Sequence, residues 1–296
     1  MDVAVVGAGS LGSLIGGLLA REHAVTLVGR EPHVSAVRES GLRVTGECEF
    51  LVRPDARTDP PADADLALVT VKAYDTGGAA SALADAAPGA CLSLQNGLGN
   101  EGRLAAALSC PVLAGTCTYG ARLRDPGVVA CTGVGEVALG PREGGHSAVA
   151  DEVGAAFDAA GVETTVAPDM PRRLWEKLAV NAGINATTAL ARVENGALRE
   201  GPAREVAADA AREVARVARG HGIDLPAERA VERTLAVARD TAANRSSMLQ
   251  DVDSGRRTEV DAINGAVVDR ADTPVPANAA LTRLVRAWER ERGLRG

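Results

Sequence analysis

Of the 32 basic side chains in this 296-residue sequence, only two are lysines, Lys72 and Lys177. Arginine supplies a solvated positive charge but cannot release a proton at neutral pH, because its pKa lies above about 12. Lysine can, since desolvation and neighbouring charges move its pKa readily. Lys177 also has polar company. In Trp175-Glu176-Lys177-Leu178-Ala179-Val180-Asn181-Ala182-Gly183-Ile184-Asn185, the residues Lys177, Asn181 and Asn185 recur at every fourth position. On a helix they share one stripe. An ammonium and two amides beside Leu178 and Ile184 make poor core, and they suit gripping a small oxygen-rich molecule. An ordinary solvated face is the plainer alternative.

A second constellation lies at the start of the chain. Gly7-Ala8-Gly9-Ser10-Leu11-Gly12 directly follows an apolar strand and opens a helix. In that setting the first glycine allows a tight turn and the second lets backbone approach a pyrophosphate. The third brings helix and strand together, while the helix N-terminus offers N–H donors and positive partial charge. Arg30 ends the next strand, where NAD-specific folds place an acid on the ribose hydroxyls. A guanidinium there suits a 2′-phosphate, which favours NADPH over NADH. Lys72 and Asn96 each follow a later strand, at the carboxyl edge where open α/β sheets bind ligands. Each could instead be a turn residue, Asn96-Gly97 being a common turn pair.

The elements that must position these residues can be read from hydrophobic periodicity. Apolar runs at Asp2 to Val6, Ala24 to Val28, Leu66 to Val71, Ala90 to Leu94 and Val112 to Thr116 alternate with helical stretches. That alternation predicts an α/β, Rossmann-type doubly wound parallel sheet. Gly127 to Leu139 reads as a late antiparallel pair, and Ala148 to Ala160 with Val162 to Val166 as a closing helix and strand. The character changes at Ala167-Pro168-Asp169-Met170-Pro171. Beyond it only helical spacing is seen, as in Pro202 to Arg219, which predicts an all-α C-terminal domain. The expected division is 1–167 for cofactor binding and 168–296 for substrate and catalysis, in line with a chain too long for one core.

Composition excludes several classes. A formal charge of -7 argues against nucleic acid or an anionic membrane as partner. The four histidines are scattered without ligand spacing, so no metal is expected. Five cysteines without a Cys-x-x-Cys pair read as reduced thiols of a cytosolic protein. Cys117 as a nucleophile is a weaker reading, since no histidine sits in a partner motif. With no signal-like start and no membrane-length apolar run, the cytoplasm is the expected location. Oligomeric state is not legible, and a homodimer stays open.

Taken together, the glycine motif, Val71-Lys72, Gln95-Asn96-Gly97, the Trp175 to Asn185 segment, Ser246-Ser247-Met248-Leu249-Gln250-Asp251 and Thr258-Glu259-Val260-Asp261-Ala262-Ile263-Asn264-Gly265 resemble the ketopantoate reductase (2-dehydropantoate 2-reductase) family. The resemblance spans nearly the whole chain. It implies NADPH as cofactor, a small 2-oxoacid as substrate, and an active site in the cleft between the domains. It further implies that Lys177 is the general acid, that Glu259 holds it and touches the cofactor, and that Asn96 lies between nicotinamide and substrate. Asn181, Asn185 and Ser247 would bind the substrate, with Asn195 at the pocket's edge. Arg30 and Lys72 would serve the cofactor's phosphates and ribose, and Ala121, closing a Thr116 to Ala121 stretch that fits the family's layout, would line the cofactor site. Locally, Thr258 with Asp261 reads as a capping box that would place Glu259 in a helix's first turn. Ser247 could instead be a plain N-cap. A reductase acting on another 2-oxoacid or imino acid, or an NADPH-holding sensor without chemistry, are the competing readings.

Overall fold

The computed structural model describes residues 1–295. The chain divides into two compact units, one of Met1–Gln95 with Gly99–Met170, the other of Asn96–Leu98 with the chain from Pro171 onward.

In the first unit the elements run β1 (Asp2–Val6), α1 (Ser10–Leu19), β2 (Ala24–Val28), α2 (His33–Ser40), β3 (Leu42–Gly46), β4 (Phe50–Val52), β5 (Asp55–Arg57) and β6 (Leu66–Val69). They continue through α3 (Thr76–Ala86), β7 (Ala90–Ser93), α4 (Asn100–Ala107), β8 (Val112–Cys117), β9 (Gly120–Asp125), β10 (Val128–Gly133), β11 (Val137–Pro141), α5 (Ala148–Ala159) and β12 (Thr164–Val166). The main sheet has the order β12-β11-β8-β7-β6-β1-β2-β5. Its central strands pair in parallel, and β11 alone runs antiparallel to its neighbour β8. The strand order reverses beside β1, which is where such sheets bind their ligands. Strands β6 and β7 are buried at every position. Hence they read as unbroken apolar runs rather than alternating ones.

The expected doubly wound sheet is present, and the expected late pair within Gly127 to Leu139 is not. Its two halves lie in different sheets. Strand β10 joins β9 and β3 in a second, four-stranded sheet of order β4-β3-β10-β9, while β11 returns to the main sheet beside β8. The second sheet covers the face of α1 turned away from the first. A Cβ on Gly16 would strike Leu27 and Val5 of the main sheet, and one on Gly17 would strike Leu42 and Val44 of the second. Two adjacent glycines thus let one helix lie close against two sheets.

His33 ties these layers together. Buried at the head of α2, its Nδ1 accepts the Gly127 N–H at 3.0 Å and its Nε2 meets the Ser13 hydroxyl at 3.0 Å. That pattern sets the neutral ring with the proton on Nε2. Burial lowers its pKa below the usual histidine value. A group depressed in the fold contributes stability that is whole above the unfolded pKa of about 6.5 and is lost as pH falls through the folded value. Urea unfolding should therefore give a smaller free energy at pH 5.5 than at pH 7.5. Part of that difference should vanish in His33→Gln, and an unchanged pH dependence in the variant would refute this role.

The second unit is helical: α6 (Met170–Ala191), a 3₁₀ turn at Asn195–Arg199, α7 (Gly201–Gly220), α8 (Ala227–Asp240), α9 (Ser247–Asp253), a π-turn at Asp261–Gly265, α10 (Ala266–Arg270) and α11 (Pro276–Glu291). No strand follows β12 among the described residues, as expected. Its core joins Leu178 and Ala182 of α6 to Val214 of α7, Leu249 of α9, Ile263 and Val285. Among the described residues no helix is long and apolar enough to cross a membrane.

Candidate active site

The glycine-rich turn has the shape its sequence predicts. Gly7 adopts φ +110°, and a Cβ there would lie 2.6 Å from the Val71 nitrogen. A Cβ on Gly12 would lie 2.2 Å from the Gly7 carbonyl oxygen and 2.5 Å from the Thr70 hydroxyl. Gly9 differs, since its nearest foreign atom would be 3.9 Å away, so space is left open on that side of the turn. Gly9 also forms the N-cap of α1, and no side chain caps the helix. Its first turn carries no acid. An open approach to uncapped N–H donors without a competing carboxylate fits a pyrophosphate. The Ser10 hydroxyl is used differently from the backbone, accepting the Leu123 N–H at 3.0 Å. That bond holds β9, and with it Ala121, beside the head of α1.

Arg30 extends from the end of β2 with its side chain 88% exposed and meets the Asp75 carboxylate at 3.1 Å. Lys72 immediately precedes the 3₁₀ turn Ala73–Asp75, whose Asp75 N–H bonds back to the Lys72 carbonyl at 2.8 Å. Lys72, Arg30 and the glycine turn all belong to the carboxyl edge of the first unit. Gln95, which the sequence reading did not single out, organises that edge. Its Nε2 donates to the Val71 carbonyl at 3.0 Å and to the Thr76 hydroxyl at 2.8 Å, fixing the loop that carries Lys72.

In the second unit, Lys177, Asn181 and Asn185 do share a stripe of α6. The side chains differ in what already satisfies them. The Asn185 amide donates to the Ser247 hydroxyl at 3.4 Å. The Asn181 Nδ2 is buried and has no partner in the protein. A buried amide donor left unmade costs about 1–3 kcal/mol, so such an atom is a binding group in waiting. Asn195 is similar: its Nδ2 donates to Thr241 at 2.9 Å, and its buried Oδ1 has no partner.

The N-cap of α9 is Ser246 rather than Ser247. The Ser246 hydroxyl accepts the Leu249 N–H at 3.1 Å and receives the Thr188 hydroxyl at 2.7 Å. Its neighbour Ser247 is thereby left exposed and pointed at Asn185. The pairing of Thr188 with Ser246 leaves no pattern in the sequence, because it exists only once α6 and α9 pack. Ser246→Ala should cost about 1 kcal/mol as a lost cap, whereas Ser247→Ala should bring no loss of thermal stability. Paired melting measurements separate the two; equal destabilisation by both would contradict the assignment of the cap.

Glu259 is 6% exposed and accepts the Asn96 Nδ2 at 3.3 Å. Asn96–Leu98 clusters with the helical unit because Leu98 also donates its N–H to the Ala262 carbonyl at 3.1 Å. The expected capping box does not form. Thr258 gives its N–H to Glu289 instead of Asp261, and Asp261 turns to arginines. Nor is Glu259 in the first turn of an α-helix: its carbonyl accepts from Ala262 and Ile263, and the chain passes into a π-turn closed by Gly265 N–H on the Val260 carbonyl at 2.8 Å. Single π-turns of this sort concentrate at functional sites.

A nucleotide-type sheet followed by an all-helical unit with a lysine–asparagine stripe is the build of a dinucleotide-dependent oxidoreductase. The comparisons narrow this. The family model described as ketopantoate reductase PanE/ApbA matches residues 3–144, and its C-terminal counterpart matches residues 169–289. The 2-dehydropantoate 2-reductase of Halobacterium salinarum is 49% identical, covering 98% of this chain and 100% of its own. The crystal structure of a PanE/ApbA family ketopantoate reductase from Ralstonia eutropha JMP134 superposes with a TM-score of 0.90 at 35% identity, over 99% of this chain and 100% of the other. A D-mandelate dehydrogenase solved with NADH and anilino(oxo)acetate gives a TM-score of 0.93 at 24% identity, over the full length of both chains, and shares the fold. The chain belongs to the ketopantoate reductase PanE/ApbA family.

Proposed function

We propose that this protein reduces 2-dehydropantoate to pantoate with NADPH, acting in the cytoplasm, with unit one as the cofactor domain and the helical unit as the substrate and catalytic domain. The observation that carries the assignment of roles is the α6 stripe, where one ammonium precedes a buried amide with no protein partner. Such a pair can bind the oxygens of a 2-oxoacid and protonate one of them.

When bound, NADPH supplies the hydride for the keto carbon. The chain's own residues do the rest. The uncapped head of α1 and the open side of Gly9 take the pyrophosphate, with Arg30 and Lys72 as the cations for ribose and phosphate and Ala121 beside them on β9. Asn181, Asn185 and Ser247 orient the substrate's carboxylate and hydroxyl groups, with Asn195 at the rim. Lys177 gives its proton to the carbonyl oxygen as negative charge gathers there, a contribution of about 10² to 10⁴-fold in rate. Glu259, buried and bonded to Asn96, holds the ammonium in place. An arginine at the lysine's position could not perform this step, which explains a lysine in a chain that uses arginine almost everywhere else.

The test is NADPH oxidation followed with 2-dehydropantoate and with a panel of branched and aryl 2-oxoacids, then repeated with NADH. The expected result is the highest kcat/KM with 2-dehydropantoate and a preference for NADPH that weakens in Arg30→Ala. A higher kcat/KM on another 2-oxoacid would reassign the substrate, and NADPH binding without turnover of any 2-oxoacid would reject the reductase.

A further inference from the structure

The segment from Ser254 to Val260 has little regular structure of its own. It leaves α9 through Gly255 at φ +62° and enters the π-turn only at Asp261. The turn that follows holds the Glu259 carbonyl, but no regular helix or strand carries the residue, and the C-terminal segment ties the chain on either side of it. Glu289, on the last turns of α11, has a side chain 0% exposed, and both its oxygens are used. Its Oε1 accepts the Thr258 N–H at 2.8 Å and the Thr258 hydroxyl at 2.7 Å, and its Oε2 accepts Arg295 Nε at 2.9 Å. Thr258 Oγ1 in turn accepts the Val260 N–H at 3.2 Å, so both neighbours of Glu259 are tied.

On the other side, Asp261 collects three guanidinium groups. Arg286 reaches its Oδ1 at 2.8 Å, Arg257 reaches its Oδ2 at 3.5 Å, and Arg295 bonds the same oxygen. Burial alone would raise the Asp261 pKa, but the hydrogen bonds from Arg295 and Arg286 outweigh it and hold the carboxyl below its ordinary value. Arg295 reaches both carboxylates because α11 ends in a reversal. Gly293 sits at φ +64°, with its N–H on the Arg290 carbonyl at 3.0 Å and the Leu294 N–H on the Glu289 carbonyl at 3.0 Å. That is a Schellman closure, which needs a left-handed glycine and turns the chain back over the helix end.

We propose that Glu289 and Arg295 are positioning residues for the reaction, a C-terminal clamp that fixes Glu259 from both flanks and so sets the aim of the lysine it holds. The proposal rests on the reading of Glu259 given above. A surface ion pair is worth little, and a fully buried carboxylate is weak evidence for stability, so stability alone does not account for this arrangement. Its geometry serves placement. A misplacement of about 1 Å at a catalytic group costs on the order of 10²-fold.

The experiment uses the full chain with Arg295→Ala, Arg295→Lys, Glu289→Gln, Glu259→Gln and the Arg295→Ala/Glu259→Gln double variant. Melting temperature, NADPH Kd, kcat and substrate KM are measured for each. Arg295→Ala should lower kcat roughly 10- to 100-fold while NADPH Kd stays near wild type, and the melting temperature should fall because the buried Glu289 carboxylate loses its partner. Arg295→Lys should recover part of that loss. Glu289→Gln keeps an acceptor for Thr258 but turns an amide toward the guanidinium, and it should behave like Arg295→Ala. In the Glu259→Gln background, Arg295→Ala should have little further effect, because residues acting through one another are not additive. If Glu259→Gln lowers kcat and Arg295→Ala leaves it unchanged, or if the two losses simply multiply, the clamp is overturned and Glu259 keeps its role. If Glu259→Gln itself turns over like wild type, the reading of Glu259 fails, and the clamp's catalytic purpose fails with it.

Discussion

Lys177→Ala should lose about 10² to 10⁴-fold in kcat, the range a positioned general acid contributes, while NADPH binds as tightly as before. The separation follows from where the groups lie. Lys177 is on α6 of the helical unit, whereas the glycine turn, Arg30 and Lys72 belong to the first. Removing the ammonium also leaves Leu178, Ala179 and Ala182 of the helix core untouched, so folding should survive. Lys177→Arg is the sharper variant. It retains a positive charge that can orient the substrate but cannot protonate it at neutral pH. Its kcat should therefore fall nearly as far as that of the alanine variant, with substrate KM better preserved. Single-turnover NADPH oxidation alongside equilibrium NADPH binding checks both parts. A kcat within a few-fold of wild type in either variant would remove Lys177 from the chemistry.

The second large effect is expected at Gly12. An added Cβ would lie 2.2 Å from the Gly7 carbonyl oxygen, a backbone atom that cannot swing aside as a side-chain end would. Overpacking of this kind costs about 1–3 kcal/mol. Since about 1.4 kcal/mol is tenfold in an equilibrium constant, NADPH Kd should rise roughly 10- to 100-fold if the strain is borne by the bound turn. The melting temperature should fall as well, because Gly7 and Thr70 are shared with the sheet. Gly9→Ala makes the contrast. With the Gly7 carbonyl oxygen its nearest foreign atom at 3.9 Å, the methyl group makes only an ordinary van der Waals contact, so the melting temperature should hold while NADPH affinity drops. Equal NADPH affinity in Gly9→Ala and wild type would show that the pyrophosphate does not approach this side of the turn.

Much of this is legible in the sequence. The parallel strands announce themselves as short apolar runs because they are buried on both faces, and the glycine motif sits where strand β1 meets helix α1. The α6 stripe is legible because Lys177, Asn181 and Asn185 fall on a single helix, where spacing in sequence is spacing in space. What escaped depends on distant pairing. The second sheet is built from short strands, β4 of three residues among them, whose partners lie far along the chain. One clue was present: Ser10–Leu19 carries no charge on any face, and a helix apolar all round must be covered on both sides. The Thr258–Asp261 box failed for a related reason. Local spacing offered Asp261 as partner to the Thr258 amide, but Glu289, 31 residues on, occupies that amide, and Asp261 is drawn off by Arg257, Arg286 and Arg295. Likewise the choice between Ser246 and Ser247 as helix cap is settled by Thr188 from another helix.

The most direct test of the account is the pH dependence of kcat in wild type and in Lys177→Ala, measured with saturating NADPH and 2-dehydropantoate. An ammonium that donates the proton must be lost at high pH, so wild type should show an alkaline limb along which kcat falls, and the variant's low residual rate should lack it. The same alkaline limb in both proteins would mean that the proton comes from another group, and the chemistry assigned here to Lys177 would be wrong.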